Sequence, residues 1–353
     1  MADRQIRAHK VQTSRALIHV LDTDGQPGDR PVLFVHGNVS SGDFFREDLA
    51  RLPAGFRGIA PDLRGYGKTE AAPIDATRGV RDWADDLYSL IEALGLATGP
   101  APVLLGWSVG GAVVMQYAID HPQGVAGLVL EAPMSPYGFG GTFGPDGQPL
   151  PDFAGCGAAG VNPDFVARLK SKDRSSDAPT SPRSIMRAFY YKPPFAPTPE
   201  QEERFLDASF EMQMGEHHYP GEPATTSHWP GIAPGTRGVN NAISPRYCNV
   251  SSFAQIQPQP PVLWIRGADD QIVSDTSFFD LAFLGQVGAV PGWPGADACP
   301  PQPMVAQTRA VLDRYRQAGG RYEELVFSDC GHSPHLEKAE AFHSALNRFL
   351  QSV

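Results

Sequence analysis

Gly106-Trp107-Ser108-Val109-Gly110 sets a serine two positions from a glycine on each side, after the apolar run 103–107 and ahead of a helical pattern. A hydroxyl in that context is a nucleophile if a sharp turn lifts it off the strand end. The two glycines remove side chains that would collide in such a turn. The Val109 amide then faces the oxyanion formed when a carbonyl is attacked, and the helix N-terminus adds a field that favours negative charge. Without the strand and helix, the same five residues are an ordinary Gly-Ser-Gly turn. His36-Gly37-Asn38 closes a second apolar run, 31–35, upstream of the first. The backbone N–H of Asn38 is the expected second oxyanion donor, and His36 is expected to be a structural hydrogen-bonding residue.

A serine hydroxyl is a poor nucleophile until a base takes its proton, and the base must be oriented by a carboxylate. Of the 10 histidines, His332 stands out, because it follows Gly331 on a loop between a strand pattern and a helix pattern. His335 is its rival three residues on, and His217 and His218 read as structural or substrate-contacting. The acid is expected between them in the chain, where the strand run 261–266 ends in Gly267-Ala268-Asp269-Asp270. Asp270 is favoured, with Asp269 bracing the turn. Glu131, at the end of the run 127–132, is a second candidate that the residues alone leave open.

The elements that must hold these groups alternate. Strands are predicted over 16–21, 31–36, 58–61, 103–107 and 127–132, with helices over 80–94 and from Ser108 towards Pro122. That rhythm predicts a mostly parallel sheet covered by helices on both faces. From Met134 to about Pro260 the texture turns to glycine, proline and aromatic residues, with helices expected over 163–169, 184–189 and 200–213. A structureless loop of that length is improbable in a compact domain. The division is therefore core (1–133), inserted cap (134–260) and core again (261–353), the last with strands at 261–266 and 322–327 and helices at 304–318 and 339–350.

With 41% hydrophobic and 19% charged residues, the chain has ample material for a core. A net charge of -10 argues against a nucleic-acid or anionic-membrane partner, since both require clustered Lys and Arg. The N-terminus lacks the apolar stretch of a signal peptide, and no run reaches the length of a transmembrane helix. Cys156, Cys248, Cys299 and Cys330 have no paired spacing and read as reduced thiols. A cytoplasmic location is the expectation.

Together, His36-Gly37-Asn38, Asp62-Leu63-Arg64-Gly65-Tyr66-Gly67, Gly106 to Gly111, Gly267 to Asp270 and Gly331 to Glu337 resemble the α/β-hydrolase superfamily, in its cap-bearing esterase, lactonase and epoxide-hydrolase-like branch. The resemblance implies the α/β-hydrolase fold, with Asp270, three residues after the strand-end glycine, as catalytic acid and 62–67 as a structural loop. Epoxide hydrolases and haloalkane dehalogenases carry Asp where Ser108 stands, so the likeness points to ester chemistry. Glu131 lies where zearalenone-type lactonases carry their acid, which keeps a lactone in view.

The expectation is thus a serine esterase or lactonase with Ser108, His332 and Asp270 as triad and Asn38 and Val109 as oxyanion donors, working without metal or organic cofactor. Trp107, Tyr190 and Trp229, with Phe139, Tyr191 and Trp293, are the expected lining for a small but bulky hydrophobic ester or lactone. Carbon–carbon bond hydrolysis and cofactor-free perhydrolysis use the same triad. A ligand receptor on a hydrolase scaffold is the alternative of another class, and it has no need of all three triad groups.

Overall fold

The computed structural model describes residues 4–353. Eight strands form one sheet: β1 (Arg7–Gln12), β2 (Leu17–Asp22), β3 (Arg30–Val35), β4 (Phe56–Pro61), β5 (Val103–Trp107), β6 (Gly127–Glu131), β7 (Val262–Gly267) and β8 (Tyr322–Phe327). Their spatial order is β1-β2-β4-β3-β5-β6-β7-β8. The first two strands run antiparallel to their neighbours, and every pairing from β4 through β8 is parallel. Parallel strands need crossover connections, so both faces must be covered. The central strands accordingly read as continuous apolar runs: every residue of β5 and β6 is buried, including Glu131.

Helix α1 (Arg81–Ala93) turns Trp83, Leu87, Leu90 and Ile91 to the core, as its 3.6-residue spacing predicts. Helix α2 (Val109–Asp120) follows β5 and is buried from Val109 through Ala118, so its apolar character runs around most of its circumference. Helices α3 (Pro163–Lys170), α4 (Pro199–Phe210), α5 (Met304–Gln317) and α6 (Ala339–Ser352) lie close to the predicted spans. Thr198 starts α4 with a capping box closed by Gln201, ahead of Pro199 at its first turn.

Two segments depart from the expectation. The helix expected at 184–189 is a short α-helical turn, Pro182–Ile185, that widens into a π-helical turn, Met186–Tyr190. The edge strand β1 was not expected, because its alternation is weak and its outward face is exposed.

The chain between β6 and β7, residues 132–261, holds α3, α4 and several two- and three-residue strand pairs. Leu169, Met186, Tyr190, Phe205, Val239 and Phe253 from this stretch belong to the same buried cluster as the sheet residues. Phe205 stacks on Phe44 at 4.2 Å, and Tyr190 meets Trp107 edge-on at 5.9 Å. The inserted segment is thereby fastened over the C-terminal ends of the strands, where open α/β sheets keep their sites.

Candidate active site

Strand β5 delivers Ser108 on a turn with φ 57° and ψ −120°. A non-glycine residue held there costs about 1–3 kcal/mol and persists only where its surroundings enforce it. Here they do. The Ser108 N–H donates to the Glu131 carbonyl at 2.9 Å, and the Ser108 carbonyl accepts from the Met134 N–H at 2.9 Å. A Cβ on Gly106 would lie 2.3 Å from the Gly110 carbonyl oxygen, and one on Gly110 would lie 2.1 Å from that of Val35. The glycines are there for space.

The loop after β7 carries Asp270 and the loop after β8 carries His332. Asp270 Oδ2 meets His332 Nδ1 at 2.8 Å, and Asp270 Oδ1 accepts the backbone N–H groups of Ile272 and Val273 at 2.8 and 3.0 Å. The carboxylate is thus aimed by its own loop and in turn fixes the imidazole, leaving Nε2 as the free nitrogen. Ser108, Asp270 and His332 are 8%, 7% and 2% exposed, so the site is closed to bulk water. No hydrogen bond joins the Ser108 hydroxyl to His332 among the described residues; a base within reach of its nucleophile can form that contact as the substrate is attacked.

Glu131 is engaged elsewhere. Its Oε1 accepts both the backbone N–H and the Nδ1–H of His335, each at 2.8 Å, and both side chains are fully buried. Burial opposes charge on His335, but the Glu131 carboxylate, joined by Asp48 and Glu47, outweighs it and holds the imidazole above its ordinary value. The sequence left two carboxylates open as partners for His332; in the structure each has its own histidine. Asp269 faces outward and pairs with Lys192 Nζ at 2.8 Å, which also reaches Asp329 at 3.1 Å.

The backbone N–H groups of Asn38 and Val109 have no protein partner among the described residues. The turn carrying Asn38 abuts Ser108: a Cβ on Gly37 would lie 2.8 Å from Ser108 Cβ. Beneath it, His36 Nε2 accepts the Leu63 N–H at 2.9 Å while Nδ1 lies 2.8 Å from the Gly37 carbonyl. Burial pushes this imidazole down to about 4, against the pull of Asp62. His36 joins the Gly37–Val39 turn to the 62–67 loop.

The three expected substrate-lining residues lie in different surroundings. Trp107 is 1% exposed, its indole N–H donates to the His332 carbonyl at 2.8 Å, and its ring lies between those of His332 and His335. It is a support beneath the site. Tyr190 is buried with its hydroxyl on the Asn38–Val39 turn. Trp229 packs with Trp293 and Phe143 in a separate cluster around Leu150, Ala282 and Cys299, so these contacts do not bring it to Ser108. A groove of about 480 Å³ lined by Gly67, Leu169, Phe210 and Met212 includes no triad residue either.

Sequence reading gave no role to Glu337. Its carboxylate accepts the backbone N–H groups of Gly331, Ser333 and Lys192, gathering the His332 loop and the inserted segment onto one side chain. The signal was an acid five residues beyond the histidine, in the first turn of a helix opened by Pro334. Among the described residues, no group of three or more His, Cys, Asp or Glu side chains is arranged to hold a metal, and all four cysteines are buried free thiols.

A sequence model described as alpha/beta hydrolase fold matches residues 30–282, well over half of the chain. The chain belongs to the α/β-hydrolase family. Among its relatives, the bifunctional esterase/perhydrolase DCH of Acinetobacter calcoaceticus is 25% identical over 300 residues, covering 80% of this chain and 91% of that protein. The magnesium-chelatase 30 kDa subunit of Rhodobacter capsulatus is 37% identical over 126 residues, but this match spans only 42% of that protein. Among solved structures, an esterase from Exiguobacterium antarcticum aligns over 98% of this chain and 100% of its own, with a TM-score of 0.58 and 18% identity. That likeness concerns the fold. Within it, Ser108, Asp270 and His332 follow strands β5, β7 and β8 in that order along the chain. No described helix is long and apolar enough to cross a membrane.

Proposed function

We propose that this α/β hydrolase is a serine esterase that cleaves carboxylic esters or lactones through an acyl-enzyme on Ser108. The observation that carries the reading is the 2.8 Å Asp270–His332 contact, made beyond the ends of β7 and β8 at the same edge of the sheet as the Ser108 turn. His332 Nε2 takes the Ser108 proton as Oγ attacks the carbonyl carbon, and the Asn38 and Val109 amides receive the oxyanion. The imidazolium then protonates the departing alkoxide; in the second half, the neutral imidazole so formed takes a proton from water as that water attacks the acyl-enzyme, and returns it to Ser108 Oγ as the acid leaves. Asp270 stabilises the imidazolium at each stage, and no step needs a metal or an organic cofactor.

A bulky hydrophobic substrate is supported by aromatic groups at the margin of the inserted segment, which acts as the cap. Phe189, Phe278, Phe279 and Phe283 contact one another beside the loop that follows Asp270, and Phe278 and Phe279 remain 43% and 39% exposed. Exposed aromatic surface of this kind marks a place where apolar ligands or partners arrive.

A second reading has the same acyl-enzyme intercepted by hydrogen peroxide in place of water, which releases a peracid. The relative named an esterase/perhydrolase, matched over most of both chains, favours keeping it. A panel of aryl esters, alkyl esters and macrolactones, assayed with and without peroxide, separates the two. Turnover by wild type and its loss in Ser108→Ala is expected; full activity in Ser108→Ala contradicts the proposal.

A further inference from the structure

Tyr190 enters the site from the inserted segment yet does not face open space. Its hydroxyl lies 3.2 Å from the Val39 carbonyl and 3.3 Å from the Asn38 carbonyl, so a single proton is shared between the two. Val39 has φ 49°, a left-handed conformation that a β-branched residue adopts only under constraint. Ser209, on α4 of the same inserted segment, brings a second hydroxyl to the Val39 carbonyl at 3.2 Å while also donating to Phe205 at 2.9 Å. Ser209 is therefore the lesser holder. From the core side, the Tyr66 hydroxyl donates to Asn38 Oδ1 at 2.8 Å, which steadies that side chain but leaves the strained carbonyls to the segment above.

The position of Tyr190 is itself unusual. It ends the π-helical turn Met186–Tyr190, a local widening that re-aims the last side chain and recurs at functional sites. Its ring is held against Phe44, Trp107 and His332 at 6.2, 5.9 and 6.4 Å. Burial raises the phenol above its ordinary value, so it stays protonated and can only help the carbonyls as a donor.

We infer that Tyr190 is a positioning residue for the oxyanion hole: its hydroxyl, assisted by Ser209, holds the strained Asn38–Val39 turn in the form that points the Asn38 amide at the reacting oxygen. This rests on the hydrolase function proposed above. It follows that the geometry of one of the two oxyanion donors depends on the segment between β6 and β7 as well as on the core.

The test compares full-length wild type with Tyr190→Phe and Ser209→Ala, reading ester kcat and KM, melting temperature, and affinity for an arylboronic acid that forms a tetrahedral adduct on Ser108. A distorted oxyanion donor acts on the transition state and not on ground-state binding. Tyr190→Phe is expected to lower kcat about tenfold with KM within about twofold, and to weaken the boronic acid in parallel. Ser209→Ala is expected to do the same to a smaller extent. A Tyr190→Phe protein that matches wild type in kcat and boronic acid affinity overturns this role, as does one whose loss lies wholly in KM or melting temperature. A wild-type protein that forms no adduct and hydrolyses no ester removes the proposed function and this role together, which separates the two failures.

Discussion

The indole Nε1–H of Trp107 donates to the carbonyl oxygen of His332 at 2.8 Å. The residue immediately before Ser108 thus fixes the backbone at His332, and strand β5 is tied to the loop after β8 across two intervening strands. Trp107→Phe keeps most of the ring but leaves that buried carbonyl without its donor. An unsatisfied buried acceptor costs about 1–3 kcal/mol. A comparable loss in denaturant stability is expected, with kcat reduced about tenfold and Ser108 still reactive.

Asp270 and Glu131 are distinguished by the histidine each one holds. Asp270→Asn removes the charge that stabilises the His332 imidazolium and reverses the tautomer preference, so kcat is expected to fall by about 10⁴ with little change in melting temperature. Glu131→Gln takes the counter-charge from His335, which has no other hydrogen-bonding partner for its ring. Its main effect is expected on stability, a loss of about 1–3 kcal/mol measured by urea unfolding, with a much smaller effect on kcat than Asp270→Asn.

The Glu131–His335 pair also has a sign in pH. The folded imidazole titrates above its unfolded value near about 6.5. The stabilisation is therefore fully present below about 6.5 and is lost as pH rises through the higher folded value. Melting temperatures of wild type and Glu131→Gln measured across this range are expected to differ most on the acid side and to converge towards alkaline pH. A gap that widens with rising pH contradicts the assignment.

Space is the constraint at Gly37. A methyl group there would sit 2.8 Å from Ser108 Cβ, closer than unbonded carbons approach, so either the oxyanion turn or the nucleophile must shift. Gly37→Ala is expected to lower ester kcat by about 10²–10³, the scale of losing an oxyanion donor. Circular dichroism should show the fold retained.

Much of this was legible in the chain itself. Apolar runs and glycine punctuation located β5, β7 and β8, and their ends carry Ser108, Asp270 and His332. What could not be read was pairing between distant residues. His335 and Glu131 are 204 positions apart, and only the packing of the His332 loop over β6 brings them together. Trp107 and Tyr190 read as pocket-lining aromatics because composition gives burial but not direction; their N–H and O–H groups point to backbone carbonyls of the site. The π-helical turn before Tyr190 left no periodic signal, since one widened turn only blurs the 3.6-residue pattern.

The central claim is a covalent acyl-enzyme on Ser108. The direct measurement is intact-protein and peptide mass spectrometry after brief mixing with an activated aryl ester, or with a fluorophosphonate that forms a stable adduct. One acyl or phosphonyl group on the peptide carrying Ser108, absent in Ser108→Ala and slow to form in Asp270→Asn, is the expected result. A folded wild-type protein that turns over the ester while Ser108 stays unmodified by either reagent contradicts the account.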